Sequence, residues 1–382
     1  MFLARYRIFA SYYFLIFSAL GIFTTLFPIH LADIGLSKAT IGLVIATGLL
    51  ASVIGPPVWG IVSDTLQARK KVLMFCQGSA AIIGLILSAV YRTAEILPLY
   101  FAYYFLQNAV VPLSDSLVLG NIKNEQYGKV RLWGSVGFAA GALLCGLLLI
   151  RLASNLVFAA YVSAAMVTVV FTYVLLPSSE RVGENGLDFS KISAIFRNRR
   201  FLVLGIILML VLIPYGAYVS FIGLYLKELG ASTGVIGLAW TVAALAEVPV
   251  FYYGGQLMLK RNPWYLLGFS ALVFALRWFV YGLVYSPGLI VLLQLSQSIS
   301  FGVFFLIALQ MINYLFPANL KATGQTLFAG LGFGLSYAIG NAAGGYIAEN
   351  VSLHFLFTLS GVLAILGAGV ALWAGKRWGK KL

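Results

Sequence analysis

The chain has 382 residues, of which 61% are hydrophobic and only 9% are charged, and its mean hydropathy is +0.97. Soluble proteins carry about 25% charged residues, so this composition excludes a chain that covers its whole exterior with wetted side chains. The net charge of +14 fits either nucleic-acid binding or a membrane protein whose basic residues lie in its loops.

Apolar stretches long enough to cross a bilayer as helices, about 20 residues each, follow one another along the chain. They are long and continuous, whereas the strands of a membrane barrel are short and alternate in polarity. We therefore predict an all-α membrane protein with twelve transmembrane helices. The stretches lie near residues 8–29, 41–62, 72–90, 97–119, 132–150, 154–176, 201–225, 235–254, 264–284, 288–311, 323–345 and 353–374.

The first stretch is too long for the core of a signal peptide, and no small-residue cleavage site follows it, so we expect a retained first helix. The sizeable polar interval later in the chain, 177–200, is rich in Gly, Ser and charge and is typical of a linker. It predicts an N-terminal six-helix half (1–176), a cytoplasmic linker (177–200) and a C-terminal six-helix half (201–382).

The two halves repeat each other at a constant offset, since Gly35 corresponds to Gly230 (230 − 35 = 195) and Gly60 to Gly255 at the same shift. The pair Gly137-Phe138 likewise corresponds to Gly332-Phe333. The fold is therefore predicted as two parallel six-helix pseudo-repeats. Parallel repeats place a substrate site near the midplane, between the halves.

The positions of the basic residues distinguish a membrane protein with basic loops from a nucleic-acid-binding protein. With the N-terminus inside, most of them fall in cytoplasmic loops, which is the positive-inside pattern. We therefore expect a multi-pass protein of the inner membrane with both termini cytoplasmic, whose partner is the lipid bilayer and not nucleic acid. The exceptions are Lys38, Arg92, Arg151 and Lys227 on the outside and Arg277 within a helix.

The sequence lacks the residues that several other classes of function require. Cys76 and Cys145 lie in apolar helices, so a disulfide is not expected, and His30 and His354 are too far apart to suggest a metal site. No phosphate-binding loop of the ATPase type occurs. We expect no cofactor and no metal. A membrane enzyme or lipid flippase is less favoured, because no clustered His/Asp or Ser/Asp set is present.

Two motifs carry a resemblance to a known family. The segment Gly60-Ile-Val-Ser-Asp64, followed by Arg69-Lys-Lys71, resembles the loop signature of the major facilitator superfamily, with Thr65 where a basic residue is usual. Asp64 and Arg69 are accordingly candidates for a cytoplasmic gate. The stretch 127–138 (YGKVRLWGSVGF) resembles the phenylpropionate permease branch of that superfamily, close to the sugar- and nucleoside-proton symporters.

Four charges fall inside predicted helices: Asp115, Arg131, Glu247 and Arg277. Placing each of them near the bilayer centre costs about 2.5–3.5 kcal/mol on insertion scales, so each is expected to have a functional or structural role. One acid and one base in each half suggest pairing across a polar cavity.

In the first half, Arg131 and Phe138 share a helical face two turns apart, as do Asn108 and Asp115. The resemblance implies that Arg131 binds substrate, that Phe138 stacks on it and that Asp115 pairs with the arginine. The alternatives are an arginine that reaches the interface beside a lipid-facing Phe138, and a structural ion pair of Asp115 with Arg131 or Lys129.

In the second half, Glu247 lies in an apolar helix, where burial disfavours its charged form, as a proton carrier requires. The resemblance implies that Glu247 carries the proton and that Arg277 tunes the coupling. The alternative is a permanent salt bridge between them. The tenth stretch lacks the His and Glu of the lactose permease group. It offers Gln294, Gln297, Ser298 and Ser300 instead, which can bind polar groups of a substrate but carry no proton.

Together these features predict a proton-coupled secondary transporter, and not an enzyme, for a small aromatic or other carboxylate such as phenylpropionate. Proton symport of a sugar or nucleoside is the alternative, for which Asn108, Gln294 and Gln297 would bind hydroxyl groups or a base. Its partners would be the small-molecule substrate and protons. A monomer is expected, because the two halves already supply each other's interface.

Overall fold

The structure, a computed structural model, describes residues 2–119, 121–122, 124–177, 198–258, 261–315 and 328–379. Nearly all of them are helical. The first six helices are α1 (Phe2–Asp33), α2 (Lys38–Thr65), α3 (Arg69–Leu87), α4 (Thr93–Leu119), α5 (Asn124–Leu148) and α6 (Ser154–Leu175).

The second six helices begin with α7 (Arg199–Glu228), whose first turn is capped by the side chain of Asn198. They continue with α8 (Thr233–Met258), α9 (Pro263–Leu283), α10 (residues 287–315), α11 (residues 329–350) and α12 (Leu353–Trp378). Two of them change type along their length. In α10 a 3₁₀ turn at Gln294–Ser296 and a π-helix at Ser298–Val303 interrupt the α-helix, and α11 opens with a π-helix at Ala329–Ser336.

The prediction of an all-α membrane protein with twelve helices is confirmed. Within the described residues, eleven helices are long and apolar enough to cross a membrane. The remaining one is α11, whose first part is a glycine-rich π-helix. Most of the predicted linker, residues 178–197, lies outside the described residues, so the boundaries of the two halves remain a prediction.

The repeat at an offset of 195 is visible in backbone geometry. Gly35 after α1 has φ +87° and Gly230 after α7 has φ +82°, the left-handed conformation that favours glycine at a helix end. The same hydrogen bond closes both turns: Leu36 N–H to the Leu31 carbonyl at 3.1 Å, and its counterpart from Ala231 to Leu226 at 2.9 Å. The short loops after α1 and α7 are therefore copies of one motif.

Helix packing repeats as well. In the first half α1 packs on α5 and α6, α2 on α4, and α3 on α4 and α6; α7 to α12 pack on one another in the same order. The halves meet along two equivalent contacts, α2 with α11 and α5 with α8. The two contacts are related by the repeat, since α2 and α11 occupy the same positions in one pair that α8 and α5 occupy in the other.

Glycines allow the halves to touch backbone to backbone. A Cβ on Gly237 would lie 2.7 Å from the Ala142 carbonyl oxygen and 3.1 Å from the Gly146 Cα. Its repeat counterpart Gly42 faces α11, where a Cβ on Gly345 would lie 3.0 Å from the Gly42 Cα. Helices in lipid gain little from hydrophobic association, because the lipid tails are as apolar as their side chains. Small residues allow close van der Waals contact, which holds the helices together instead.

Replacing Gly42 by alanine is therefore expected to destabilise the protein by about 1–3 kcal/mol, the usual effect of overpacking. Its Cβ would collide with the carbonyl oxygen of Asn341 in α11. The matched control is Gly60→Ala in the same helix, because among the described residues nothing lies within 4 Å of a Cβ placed there. Thermal unfolding in detergent measures both, and equal midpoints would contradict a tight α2–α11 contact.

The end of the molecule where α1 and α7 finish carries ion pairs between the halves. Lys227 Nζ lies 2.6 Å from Asp33 Oδ1, and Lys38 Nζ lies 2.5 Å from Glu228 Oε1. Asp33 and Glu228 are repeat counterparts (228 − 33 = 195), so each half offers an equivalent acid to a lysine of the other. The Lys38 backbone N–H also donates to Glu349 at 2.8 Å.

Candidate functional site

The central contact between the halves is aromatic. The rings of Phe138 in α5 and Trp240 in α8 meet edge to face at 6.1 Å, and Thr241 Oγ1 donates to the Ala139 carbonyl at 3.0 Å. Arg131 lies two turns before Phe138 and Glu247 two turns after Trp240. Because the end of α5 meets the start of α8, both charged residues lie on the same side of this contact.

In the first half, Tyr13 of α1 joins the two predicted charges. Its hydroxyl donates to Asp115 Oδ1 at 2.5 Å, and the Arg131 guanidinium lies over its ring, 5.5 Å from the centroid. Arg131 lies closer still to Phe17, at 4.2 Å from the ring centroid. A cation over an aromatic face gains about 0.5–2 kcal/mol. This cluster presents a guanidinium and a carboxylate held by aromatic rings.

A buried polar network supports that cluster from behind. Tyr12, next to Tyr13, contacts Ser114, next to Asp115, with their hydroxyl oxygens 2.8 Å apart. Gln77 Nε2 donates to Tyr12 at 3.1 Å and its Oε1 accepts from Thr172 at 3.1 Å. Fully satisfied networks of this kind rigidify a core. It therefore sets the distance between α1 and α4, and hence the position of Asp115.

Asn108, predicted on the face of Asp115, has a buried amide nitrogen with no hydrogen-bond partner in the described part of the chain. Buried polar atoms are nearly always paired, so an orphan needs an explanation. An amide donor left over near the middle of α4 is available to a bound polar group.

In the second half, Arg277 is 1% exposed and is surrounded by neutral partners. Its Nε donates to the Tyr281 hydroxyl at 2.7 Å and its Nη2 to Gln294 Oε1 at 2.5 Å. Nη1 donates to Gln297 Oε1 and, at 3.5 Å, to Ser300 Oγ. The guanidinium also lies over the ring of Tyr218, at 4.6 Å from its centroid. These contacts use most of its five N–H groups.

Gln297 connects Arg277, Glu247 and Tyr215 in the second half, and we call this side chain the junction. Its Oε1 accepts from Arg277, while its Nε2 donates to Glu247 Oε1 at 3.0 Å and to the Tyr215 hydroxyl at 2.6 Å. Glu247 and Arg277 are thus joined through a neutral amide. All three residues are candidates from the sequence, but Gln297 is expected there to bind substrate, and its link between Glu247 and Arg277 is visible only in the structure.

The irregular part of α10 places this junction. Gln294 lies in the 3₁₀ turn, Gln297 follows it, and Ser300 lies in the π-helix. The change of helical type turns all three side chains towards Arg277. Such π segments inside α-helices occur frequently at functional sites.

The residues of the predicted cytoplasmic gate, Asp64 and Arg69, lie where α2 ends and α3 begins. This is the end of the molecule opposite the Lys227–Asp33 ion pair. Arg69 begins α3, whereas the side chain of Asp64 lies outside what the structure describes, so the gate pair remains a prediction. Among the described residues, no group of three His, Cys, Asp or Glu side chains could hold a metal ion.

Twelve helices in two similarly packed halves, each with a cluster of charged and aromatic side chains among its own helices, are the architecture of a polytopic membrane transporter. The chain belongs to the major facilitator superfamily: the profile of the MFS_1 like family matches residues 6–359. The predicted family is therefore confirmed.

Individual relatives are transporters as well. The chain is 30% identical over 379 residues to the maltose permease of Geobacillus stearothermophilus, covering 98% of this chain and 95% of the relative. It is 24% identical over 365 residues to a probable 3-phenylpropionic acid transporter of Escherichia coli K12, covering 92% and 93%. The crystal structure of the nucleoside transporter NupG superimposes with a TM-score of 0.86 at 17% identity, covering 97% and 99%. The family and these relatives are transporters and not enzymes.

Replacing Gln297 by leucine is expected to destabilise the protein, because it leaves donors or acceptors of Arg277, Glu247 and Tyr215 unpaired. Each unsatisfied buried group costs about 1–3 kcal/mol. The control is Ser298→Ala, since Ser298 is only half-buried and its hydroxyl donates to the Leu295 carbonyl of its own helix. Thermal midpoints in detergent compare the two, and a Gln297→Leu midpoint equal to that of Ser298→Ala would contradict the junction.

Proposed function

We propose that this protein is a proton-coupled symporter that takes up a small organic solute by alternating access, with Glu247 as the proton carrier. The observation that supports this most is the link from Glu247 through Gln297 to the buried Arg277. A carboxyl group in the membrane interior needs a functional reason. A neutral amide between acid and base lets the acid gain or lose its proton without breaking a direct ion pair.

The distribution of contacts supports an inward-facing arrangement. The Asp33–Lys227 and Lys38–Glu228 ion pairs and the close backbone contacts of Gly42 and Gly237 lie towards the predicted outer end. Towards the opposite end, among the described residues, nothing lies within 4 Å of a Cβ placed on Gly60 of α2 or Gly330 of α11. The cluster would then open to the cytoplasm.

The solute we favour is a neutral hydroxylated molecule of the sugar type. Arg277 is already occupied by neutral side chains, so it offers little to a substrate anion. The four intramembrane charges are balanced, one acid and one base in each half, and a neutral solute preserves that balance. Amides and phenols such as those of Asn108 and Tyr215 suit hydroxyl groups. The relative named as a maltose permease is consistent with this choice.

An aromatic carboxylate is the second candidate, and Arg131 is the observation that favours it. Within the described residues its guanidinium forms no ion pair with Asp115, whose Oδ1 accepts from Tyr13. A planar fork over an aromatic ring suits a carboxylate attached to a ring. The relative named as a probable 3-phenylpropionic acid transporter fits this alternative, and the fold is equally that of a nucleoside transporter.

Uptake into proteoliposomes under an imposed pH gradient, acid outside, tests the function. Labelled maltose, phenylpropionate and uridine are offered separately, and one of them is expected to accumulate and to leave again when a protonophore is added. Accumulation that persists with the protonophore would contradict proton coupling. Failure of all three, with lipid movement between leaflets instead, would contradict solute transport.

We also propose that the protein resides in the inner membrane as a monomer with both termini in the cytoplasm. The placement of the basic residues supports the orientation, and the pairing of the two halves along α2–α11 and α5–α8 supports the monomer.

A further inference from the structure

A cavity unrelated to the central site lies where α7 begins and α12 ends, at the predicted cytoplasmic end. It measures about 690 Å³ and opens to the surface of the protein. Its walls combine three arginines, Arg199, Arg200 and Arg377, with two tryptophans, Trp373 and Trp378. Among its lining residues, all of which the structure describes, these arginines are the charged ones. The cavity therefore attracts anions.

The arginines and tryptophans are arranged in pairs. The Arg377 guanidinium lies over the ring of Trp373 at 5.4 Å from its centroid, and that of Arg200 over Trp378 at 5.8 Å. Trp373 and Trp378 meet edge to face at 5.8 Å. A guanidinium that stacks through its plane can still bind an oxyanion through its edge N–H groups, and Arg377 is the stacked arginine to which we apply this.

The position in the membrane identifies the kind of anion. Tryptophan concentrates at the level of the lipid headgroups, with its ring in the apolar layer and its N–H near water. Trp373 is 48% exposed and Leu202, another wall residue, is 43% exposed, so one side of the cavity is apolar and faces the acyl chains. A phosphate bound here would have lipid tails beside it.

We propose that this cavity is a binding site for the phosphodiester headgroup of an anionic phospholipid. Arg199 and Arg377 bind the phosphate oxygens, Arg200 and the tryptophans form the wall, and the acyl chains lie along Leu202 and Trp373. The site holds one lipid at the junction of α7 and α12, which are the first and last helices of the second half. It is separate from the solute site and does not depend on which solute is carried.

The test measures lipid retention by the full-length protein, purified in detergent, with native mass spectrometry after addition of phosphatidylglycerol or phosphatidylcholine. We expect phosphatidylglycerol to be retained in preference to phosphatidylcholine. Each arginine near an anionic surface contributes about fivefold in affinity, so Arg199→Gln with Arg377→Gln should weaken retention about 25-fold. The lysine pair Arg199→Lys with Arg377→Lys keeps the charge and should retain most of the binding.

The control pair is Arg92→Gln with Arg151→Gln, two exposed arginines at the other end of the molecule, which should leave retention unchanged. Equal loss in both pairs would overturn the site, as would retention of phosphatidylglycerol that survives Arg199→Gln with Arg377→Gln. In a third experiment, inorganic phosphate at millimolar concentration is added to the complex with phosphatidylglycerol, and the lipid that remains bound is measured. If it displaces the lipid completely, the cavity binds free phosphate and the lipid assignment is wrong.

Discussion

Replacing Glu247 by glutamine is expected to abolish solute accumulation driven by a pH gradient while exchange of solute across the membrane continues. For one proton per solute, each pH unit supplies about 1.4 kcal/mol, which supports about tenfold accumulation. Glutamine keeps the hydrogen-bonding capacity towards Gln297 but cannot carry a proton. Accumulation should therefore fall from this level to equilibration, measured as labelled solute inside proteoliposomes.

Glu228→Gln is the matched control for this substitution. Its side chain is 46% exposed and pairs with Lys38 at the predicted outer end. Exposed ion pairs contribute about 0–1 kcal/mol, so accumulation should be nearly that of the wild type. If Glu247→Gln still accumulates solute, the proton is carried elsewhere. If exchange is lost as well, the residue has a role in folding or solute binding and not in coupling alone.

The second large effect is expected at Arg131. Arg131→Lys should raise the KM for the solute about 10–100-fold, because a hydrogen bond to a charged group contributes about 1.5–3 kcal/mol. Lysine keeps the charge but loses both the planar fork and the stacking on Phe17. Equilibrium exchange at varied solute concentration measures the change independently of the proton gradient.

Lys129→Gln is the control, since Lys129 is exposed, lies two residues earlier in the same helix and carries the same charge. An unchanged KM in this variant with a raised KM in Arg131→Lys assigns the effect to the guanidinium. An equal KM in both variants and the wild type would show that Arg131 faces the interface and does not bind solute.

The fold was largely predictable because hydropathy reports directly on contact with lipid. All twelve predicted stretches lie within or largely overlap the segments that form helices. Their ends were predicted less well: the first stretch, near 8–29, corresponds to a helix over Phe2–Asp33, since polar ends outside the lipid core leave no hydropathy signal. The 3₁₀ and π segments of α10 were also not predicted, because they change hydrogen bonding without changing composition.

The candidate site was predictable only in part. Charges in apolar helices are conspicuous, so Asp115, Arg131, Glu247 and Arg277 could be named from the sequence. The sequence did not indicate which neutral side chains connect these charged residues. Tyr13 reaches Asp115 across 102 residues of chain, and a tyrosine in a chain with 15% aromatic residues gives no signal of its own. Such contacts depend on how helices pack in three dimensions.

The gate and the domain boundaries stay predictions for a different reason. The side chain of Asp64 and residues 178–197 lie outside the described part of the structure, so the helix packing tests neither the predicted gate nor the predicted linker.

Proton movement caused by solute tests the central proposal most directly. Proteoliposomes without any gradient are suspended in weakly buffered medium, and the solute that accumulates in the uptake assay is added while a pH electrode records the exterior. We predict that the exterior becomes more alkaline in proportion to solute uptake, and that Glu247→Gln vesicles give no such change. Solute entry with no change in external pH in the wild-type protein would contradict proton symport.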